Sequence, residues 1–395
     1  VDQTGAGGAV AYHNIAGCYA RAEAAKTRRK DYAEDVRDAL LDSVRSHLVA
    51  DVPVGAFLSA GVDSGALVGL MRDAGACEIK TATIGFAEFA GKPGDESILA
   101  AKVAARYRTT HRTRLVTKAE FEEDFDRIVA AMDQPTIDGV NTWFVSKAMR
   151  EQGLKVAISG LGGDELFGGY PSFRDVPRWV RLFAVPSSVP LLGKLVRSLA
   201  EPIALALGAN PKAAGLLELG GATCGAYLLK RGLFMPWELD RILPADVVKV
   251  GLRRLDPLNL IKRAITPRPR SAFGRVAALE SSLYMRNQLL RDTDWASMAH
   301  SLEVRVPLVD SVLLQRLAPY AGNFGEAGGK QVLAEAPLQS LPTEVVNRSK
   351  TGFTTPVEAW MRAGRLAKRQ VPDPGRMPWA RDWSRIVGGL SKVVA

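Results

Sequence analysis

Two glycine-rich stretches hold the residues best suited to chemistry. In Leu58 to Leu70, LSAGVDSGALVGL, the residues Ser59, Gly61, Asp63 and Ser64 fall on a turn between an apolar run and a helix-forming run. In Ile158 to Tyr170, ISGLGGDELFGGY, five glycines surround the adjacent acids Asp164 and Glu165, directly after the apolar run KVAIS. The amides of a first helical turn are unpaired and its dipole favours negative charge, so such a turn can hold a phosphate by backbone and hydroxyls, without a lysine. Neither the P-loop pattern G-x-x-x-x-G-K-[ST] nor the G-x-G-x-x-G fingerprint is present. Taken singly, each turn is also what an ordinary Ser- or Asp-capped helix start looks like. As a pair they say more, because each follows a strand-like run and so opens at the carboxyl edge of one sheet, where open α/β sheets bind ligands. Asp63 and Asp164 would then share a Mg²⁺ bound to a polyphosphate, since Mg²⁺ takes one or two carboxylates and fills its other positions with phosphate oxygens and water.

The elements that must position these turns follow from periodicity. Tyr32 to Val49 places Val36, Leu40, Val44 and Leu48 four apart, with Leu41 beside them, which predicts an amphipathic helix. VPVGAFLS reads as a buried strand, DSGALVGLMRDAG as a helix ended by Gly75, and IKTATIGF as a second strand. A helix over Glu96 to Tyr107, the strand HRTRLV, helices over Lys118 to Met132 and Thr142 to Gln152, and the strand KVAIS follow. Strands alternating with helices predict an α/β fold, a parallel sheet with helices on both faces. Beyond Pro171 strand signals fade, and helical patterns broken by Pro and Gly run to about Arg365, so the second half is expected to be mainly helical.

The bulk of the chain bounds the function classes. Its 395 residues are 47% hydrophobic and 24% charged, enough for an enzyme-sized body. Three scattered cysteines, with no C-x-x-C pair, indicate neither a disulfide framework nor a zinc site and fit a reducing cytoplasm. The four histidines are scattered too, which argues against a histidine metal centre. The most apolar window, Val189 to Ala209, is interrupted by Lys194, Arg197, Glu201 and Pro202, so no membrane span is expected. Of the net charge of +10, nearly all lies in residues 171–270, with 16 Lys/Arg against 7 Asp/Glu. Aromatics are not interleaved there at stacking intervals, which argues against nucleic acid. A solvated basic surface is the plain reading, and a peripheral membrane or partner contact is the alternative, because FRDVPRWVRLF resembles an interfacial helix.

SAGVDS resembles the pyrophosphate-binding loop, usually written S-G-G-x-D-S, of the N-type ATP pyrophosphatases, and SGLGGDELFGGY resembles the second motif of their asparagine synthetase branch. DTDWASMAHSLEVRVPLVD (Asp292 to Asp310), the pair Gly329 and Lys330, and LPTEVVNRSKTGFTTPVEAW (Leu341 to Trp360) extend the likeness over roughly Asp35 to Arg365. The resemblance implies an adenine nucleotide alpha-hydrolase-like sheet, ATP and Mg²⁺ as cofactors, and amidation of aspartate through β-aspartyl-AMP with release of AMP and pyrophosphate. It implies that Ser59, Gly61, Asp63 and Ser64 grip pyrophosphate, that Asp63 and Asp164 hold the metal, and that Lys330 places a charge on the phosphates. Phe57, Ile84, Ser159 and Gly160 would contact adenosine through their backbone. Gly162, Gly163, Glu165, Arg305, Asp310, Arg348 and Lys350 would shape the site or face substrate. An internal ion pair is an equal reading for Arg305 and Asp310, and loop anchoring for Arg348 and Lys350.

Three residues depart from the family pattern. Ala60 replaces the second residue of S-G-G, a change costing on the order of 1–2 kcal/mol if the backbone there needs positive φ or close approach to phosphate. Leu161 stands where asparagine synthetases often carry a glutamate that would orient the amine or take its proton, and Trp295 where an Arg is common. These leave open another carboxylate, on a peptide or a saccharide, as acceptor. Glutamine-dependent relatives begin with a glutaminase domain whose nucleophile is an N-terminal cysteine, and Val1 is not that residue. Residues 1–35 are therefore expected to be a linker ending an upstream glutaminase domain, or else that domain is a separate partner supplying ammonia. Residues 36–365 would be the ligase domain and 366–395 a tail.

Overall fold

Short apolar central strands, buried on both faces, build the sheet. The structure is a computed structural model that describes residues 11–25, 32–92, 94–206, 211–325, 328–348, 355–362 and 379–387. Five strands, β1 Val54–Phe57, β2 Lys80–Phe86, β3 Thr110–Val116, β4 Val156–Ile158 and β5 Glu303–Arg305, form one parallel sheet in the order β3-β2-β1-β4-β5. In β4 the neighbours Ala157 and Ile158 belong to different buried clusters, so the sheet separates two cores, as period-two side chains require. One core takes Ala56 and Leu58 with helices Tyr32–Leu48, Val62–Asp73 and Ser97–Arg106; the other takes Ala82, Ile84 and Phe86 with helices Lys118–Ala131 and Val140–Glu151.

The expected architecture is present: a parallel sheet covered by helices on both faces, followed by a mainly helical half. Val36, Leu40 and Val44 are buried as their spacing predicts. Helix Val62–Asp73 buries every residue from Ser64 to Met71, so the turn that precedes it is anchored on the most enclosed helix next to the sheet. β5 was outside the expectation, because three residues of the type Glu-Val-Arg show no strand period. Among the described residues no helix is long and apolar enough to cross a membrane.

Both ends of the chain add to the cores. Helix Ile15–Ala24 buries Ala16, Cys18 and Tyr19, and helix Trp379–Val387 inserts Trp383, fully buried, beside Phe121 and Phe125, its Nε1 donating to the Thr136 carbonyl at 2.7 Å. Trp295 is also a core ring: it packs on Trp143, lies so close to Gly139 that a Cβ there would come within 2.4 Å, and donates to Asp292 Oδ1 at 3.0 Å. Asp292 is buried and also accepts from Thr136 Oγ1 at 2.8 Å. Burial pushes its carboxyl up to about 7, with the Trp295 and Thr136 hydrogen bonds opposing and Asp138 and Asp133 adding to the rise. The folded state thus holds this proton more tightly than the unfolded chain, and stability falls as pH rises from about 4 to about 7. At about 1.4 kcal/mol per unit, Asp292→Asn should remove on the order of 2–4 kcal/mol of pH dependence across that window, measured by urea unfolding at pH 5 and pH 8. An unchanged pH profile in the variant would contradict this placement of the proton.

Candidate active site

The chain proceeds from β1 to β2 and β3 on one side and returns to β4 on the other, so the loops leaving β1 and β4 diverge. Such a switch point opens a crevice at the carboxyl edge. Both glycine-rich turns lie there. In the first, the Ser59 amide donates to Ser64 Oγ at 3.1 Å, the two hydroxyls are 3.0 Å apart, and the Gly61 amide donates to Ser59 Oγ at 3.1 Å. No side chain caps the helix that starts after Gly61, which leaves its dipole facing the crevice. Ala60 is absent from the described residues with positive φ, so the conformational part of the expected cost does not arise. Its amide points to Glu96 Oε2 at 3.4 Å, and Glu96 pairs with Arg348 at 3.0 Å. Burial raises the Glu96 carboxyl, with the Arg348 guanidinium opposing. Arg348 therefore stands at the edge of the first turn through Glu96, while Lys350 lies outside the described residues.

The second turn meets the first by close approach. Gly160 packs against the backbone of Asp63 and Ser64, and a Cβ on Gly163 would come within 2.5 Å of the Asp63 carboxyl carbon. Gly162, at φ +96°, begins helix Gly163–Phe167, which aims Asp164 into the crevice. A Cβ on Gly169 would come within 2.0 Å of Asp164 Oδ1 and 2.5 Å of Lys330 Cε. Lys330, on helix Gly328–Glu335, closes the group: its Nζ bonds both Asp63 and Asp164, the latter at 2.7 Å. Burial alone would lower the Lys330 pKa, but attraction to the two carboxylates outweighs it and the pKa is raised. The ammonium is thus charged at any physiological pH.

The remaining predicted residues divide. Ser159 and Gly160 line the second turn; Phe57 and Ile84 end β1 and approach the end of β2, with Ile84 beside a small recess shared with Phe89 and Glu96. Leu161 is half-buried, its amide donating to Ser159 Oγ at 3.4 Å. Arg305 does not join the group. Its guanidinium bonds the carbonyls of His47 at 2.8 Å and Val49 at 2.7 Å and the Glu303 carboxylate at 2.6 Å, so it ties the end of helix Tyr32–Leu48 to β5. Asp310 caps helix Ser311–Leu317 by accepting from the Val312 amide at 2.6 Å, and also accepts from Ser43 Oγ at 3.2 Å. Glu165 is buried and accepts from the Tyr170 hydroxyl at 3.0 Å, while its Oε2 has no partner among the described residues. It lines a cavity of about 120 Å³ with Gly162, Asp310 and His13. Burial, then the charge of Asp164, pushes its carboxyl up to about 7.

Sequence reasoning missed a polar layer behind Glu165. The Arg231 guanidinium stacks on Tyr284 at 3.8 Å and on Tyr170 at 4.5 Å and pairs with Glu280 at 2.9 Å; Asp138 accepts from Tyr284 and Gln288 at 3.2 and 2.8 Å. Tyr284 and Gln288 sit on a π-helical stretch, Glu280–Leu289, a geometry that often accompanies functional sites. No spacing in the chain could have joined residues 138, 170, 231 and 284.

The donor set fits the expected metal. Asp63 and Asp164 offer hard oxygen donors that converge on one cationic position, now shown by the Lys330 ammonium. Among the described residues no group of three or more His, Cys, Asp or Glu converges, so a Mg²⁺ held here would draw its other ligands from substrate oxygens and water.

The chain is similar to known proteins over most of its length. The asparagine synthase family model matches residues 35–371. The chain is 27% identical over 347 residues to a protein of Bacillus subtilis (strain 168) named asparagine synthetase [glutamine-hydrolyzing] 1, covering 85% of this chain and 52% of that protein. It is 30% identical over 343 residues to a putative asparagine synthetase [glutamine-hydrolyzing] of Mycobacterium bovis, covering 84% and 49%. A shorter match, 31% over 159 residues, covers 36% of this chain and 23% of amidase chry2 of Gibberella zeae. The chain thus spans about half the length of the full-length curated relatives it matches.

Proposed function

We propose that this chain, which belongs to the asparagine synthase family, is an ATP-dependent ligase that activates a carboxylate as its adenylate and converts it to an amide. The observation that carries the reading is the meeting of Asp63, Asp164 and Lys330 at the switch point between β1 and β4. A carboxylate oxygen attacks the α-phosphorus, the bond from the α-phosphorus to the oxygen bridging to the β-phosphate breaks, and pyrophosphate leaves; ammonia then attacks the acyl carbon, AMP departs, and one proton of the former ammonia passes to solvent. The serine hydroxyls and the open helix start of the first turn hold the pyrophosphate, and the Lys330 ammonium offsets charge that grows on it. Bound Mg²⁺ would supply further charge neutralisation between the two aspartates.

Aspartate, reacting through β-aspartyl-AMP, is the acceptor that the family points to, with ammonia from a glutaminase domain in the same polypeptide or in a partner. Leu161 favours a second reading, a different carboxylate on a peptide or saccharide, because no carboxylate stands at that position to handle the amine. ATP–pyrophosphate exchange with Mg²⁺ across a panel of carboxylates, with and without ammonia, tests both. Exchange stimulated by aspartate and yielding asparagine supports the first, exchange only with another acid supports the second, and no exchange with any acid overturns the ligase reading.

A further inference from the structure

Helix Leu192–Ala206 is turned inside out. Leu192, Leu195, Leu199 and Ile203 recur at helical spacing and form one stripe, which in a globular helix faces the core. Here the four are 39%, 62%, 73% and 60% exposed. The inward face carries the charges instead: Arg197 stacks on Trp237 at 4.4 Å and pairs with Glu218 and Glu201, and buried Glu201 also pairs with Arg241 at 2.9 Å. The preceding helix, Ser172–Phe183, buries Val176 against Ala226 and Val276 but leaves Leu182 exposed, as is Val185 just beyond its end. Exposed apolar side chains at helical spacing on a charged helix mark an interaction site.

The charge around the stripe identifies the partner. Residues 178–200 contain four Lys/Arg and no Asp or Glu; Lys194 is exposed within the stripe-bearing helix, and Arg178 and Arg181 are exposed on the preceding helix. We propose that the segment spanning residues 172–206 docks on an anionic phospholipid bilayer, the leucine stripe of helix Leu192–Ala206 entering the headgroup layer and the exposed cations of the segment meeting lipid phosphates. This is the composition of an interfacial helix, apolar on one side with Lys/Arg at the flanks, lying in the membrane plane without crossing it. A second copy of the chain fits less well, because a two-fold contact through the stripe would bring these cations toward their own images. The inference does not depend on the ligase reading, and its failure would leave that reading standing.

Vesicle co-sedimentation of the full chain tests it, with phosphatidylcholine vesicles compared with mixed phosphatidylcholine and phosphatidylglycerol vesicles. The chain should partition to the anionic vesicles about 10-fold or more tightly than to the neutral ones, and raised salt should weaken this binding. Two variants, Leu195→Ser with Leu199→Ser and Arg178→Ser with Arg181→Ser, should each weaken it by about 10-fold. Melting curves check folding, and the arginine variant alone decides if the leucine variant fails to fold. No pelleting with anionic vesicles, or equal pelleting of the parent and the arginine variant, overturns the proposal. So does a dimer in sedimentation velocity that the leucine variant dissolves while the parent ignores vesicles.

Discussion

Asp63→Asn and Asp164→Asn should each lower ATP–pyrophosphate exchange by about 100-fold or more, with Lys330→Ala losing about 10- to 100-fold. The expectation rests on charge. Two carboxylates and one ammonium meet at a single point where the β1 and β4 loops face each other, and each is only about one-fifth exposed. Electrostatic interactions there are screened less than at the surface, and either aspartate alone would offer a bound Mg²⁺ one charged ligand instead of two. An asparagine keeps the shape and removes the charge, so melting temperature reports folding separately from exchange. Lys330→Ala differs in kind, because it leaves Asp63 and Asp164 facing each other without their shared cation. If both asparagine variants exchange within about threefold of the parent, the two carboxylates do not act on the reaction and the shared-metal arrangement is wrong.

Gly169→Ala and Gly163→Ala should damage the same assay with no change in charge. A Cβ at Gly169 would overlap Asp164 Oδ1 at 2.0 Å and crowd Lys330 Cε at 2.5 Å, and one at Gly163 would press on the Asp63 carboxyl carbon at 2.5 Å. Each carboxylate must move to make room, and displacement of a positioned group by about 1 Å can cost about 100-fold in rate. Overpacking of this kind also costs about 1–3 kcal/mol of stability, readable by urea unfolding. Gly251→Ala is the control: it lies in helix Ala245–Leu255 with nothing within 4 Å of its would-be Cβ. It should be neutral or stabilise by about 0.5–1 kcal/mol and leave exchange unchanged. Equal exchange in Gly169→Ala and Gly251→Ala would show that the close glycine packing is incidental to the site.

Much of the site is legible in the amino-acid sequence. Glycine-rich turns after apolar runs, one carrying Asp63 and the other the pair Asp164 and Glu165, pointed to Asp63 and Asp164 because local propensity alone creates a strand end followed by a helix start. The alternation of strands and helices likewise announced a parallel sheet, since a parallel pair needs a crossover. Arg305 shows the limit: its motif gives no hint whether the guanidinium faces a substrate or, as the fold has it, the carbonyls that end helix Tyr32–Leu48. Trp295 reads as a missing arginine in the chain and is a core ring against Gly139 in the fold.

The sequence by itself determined which residues could carry charge to a phosphate and which segments would be strands or helices, because both are set by residue type and by periods of two or 3.6. Only the tertiary structure decided that β4 returns beside β1, so that residues 63, 164 and 330 share one point. It alone decided too that Leu195 and Leu199 face outward while Arg197 and Glu201 face in. A period shows that a helix has two faces; which face meets the core depends on what the rest of the chain packs against it, and that information lies in contacts between residues far apart in sequence.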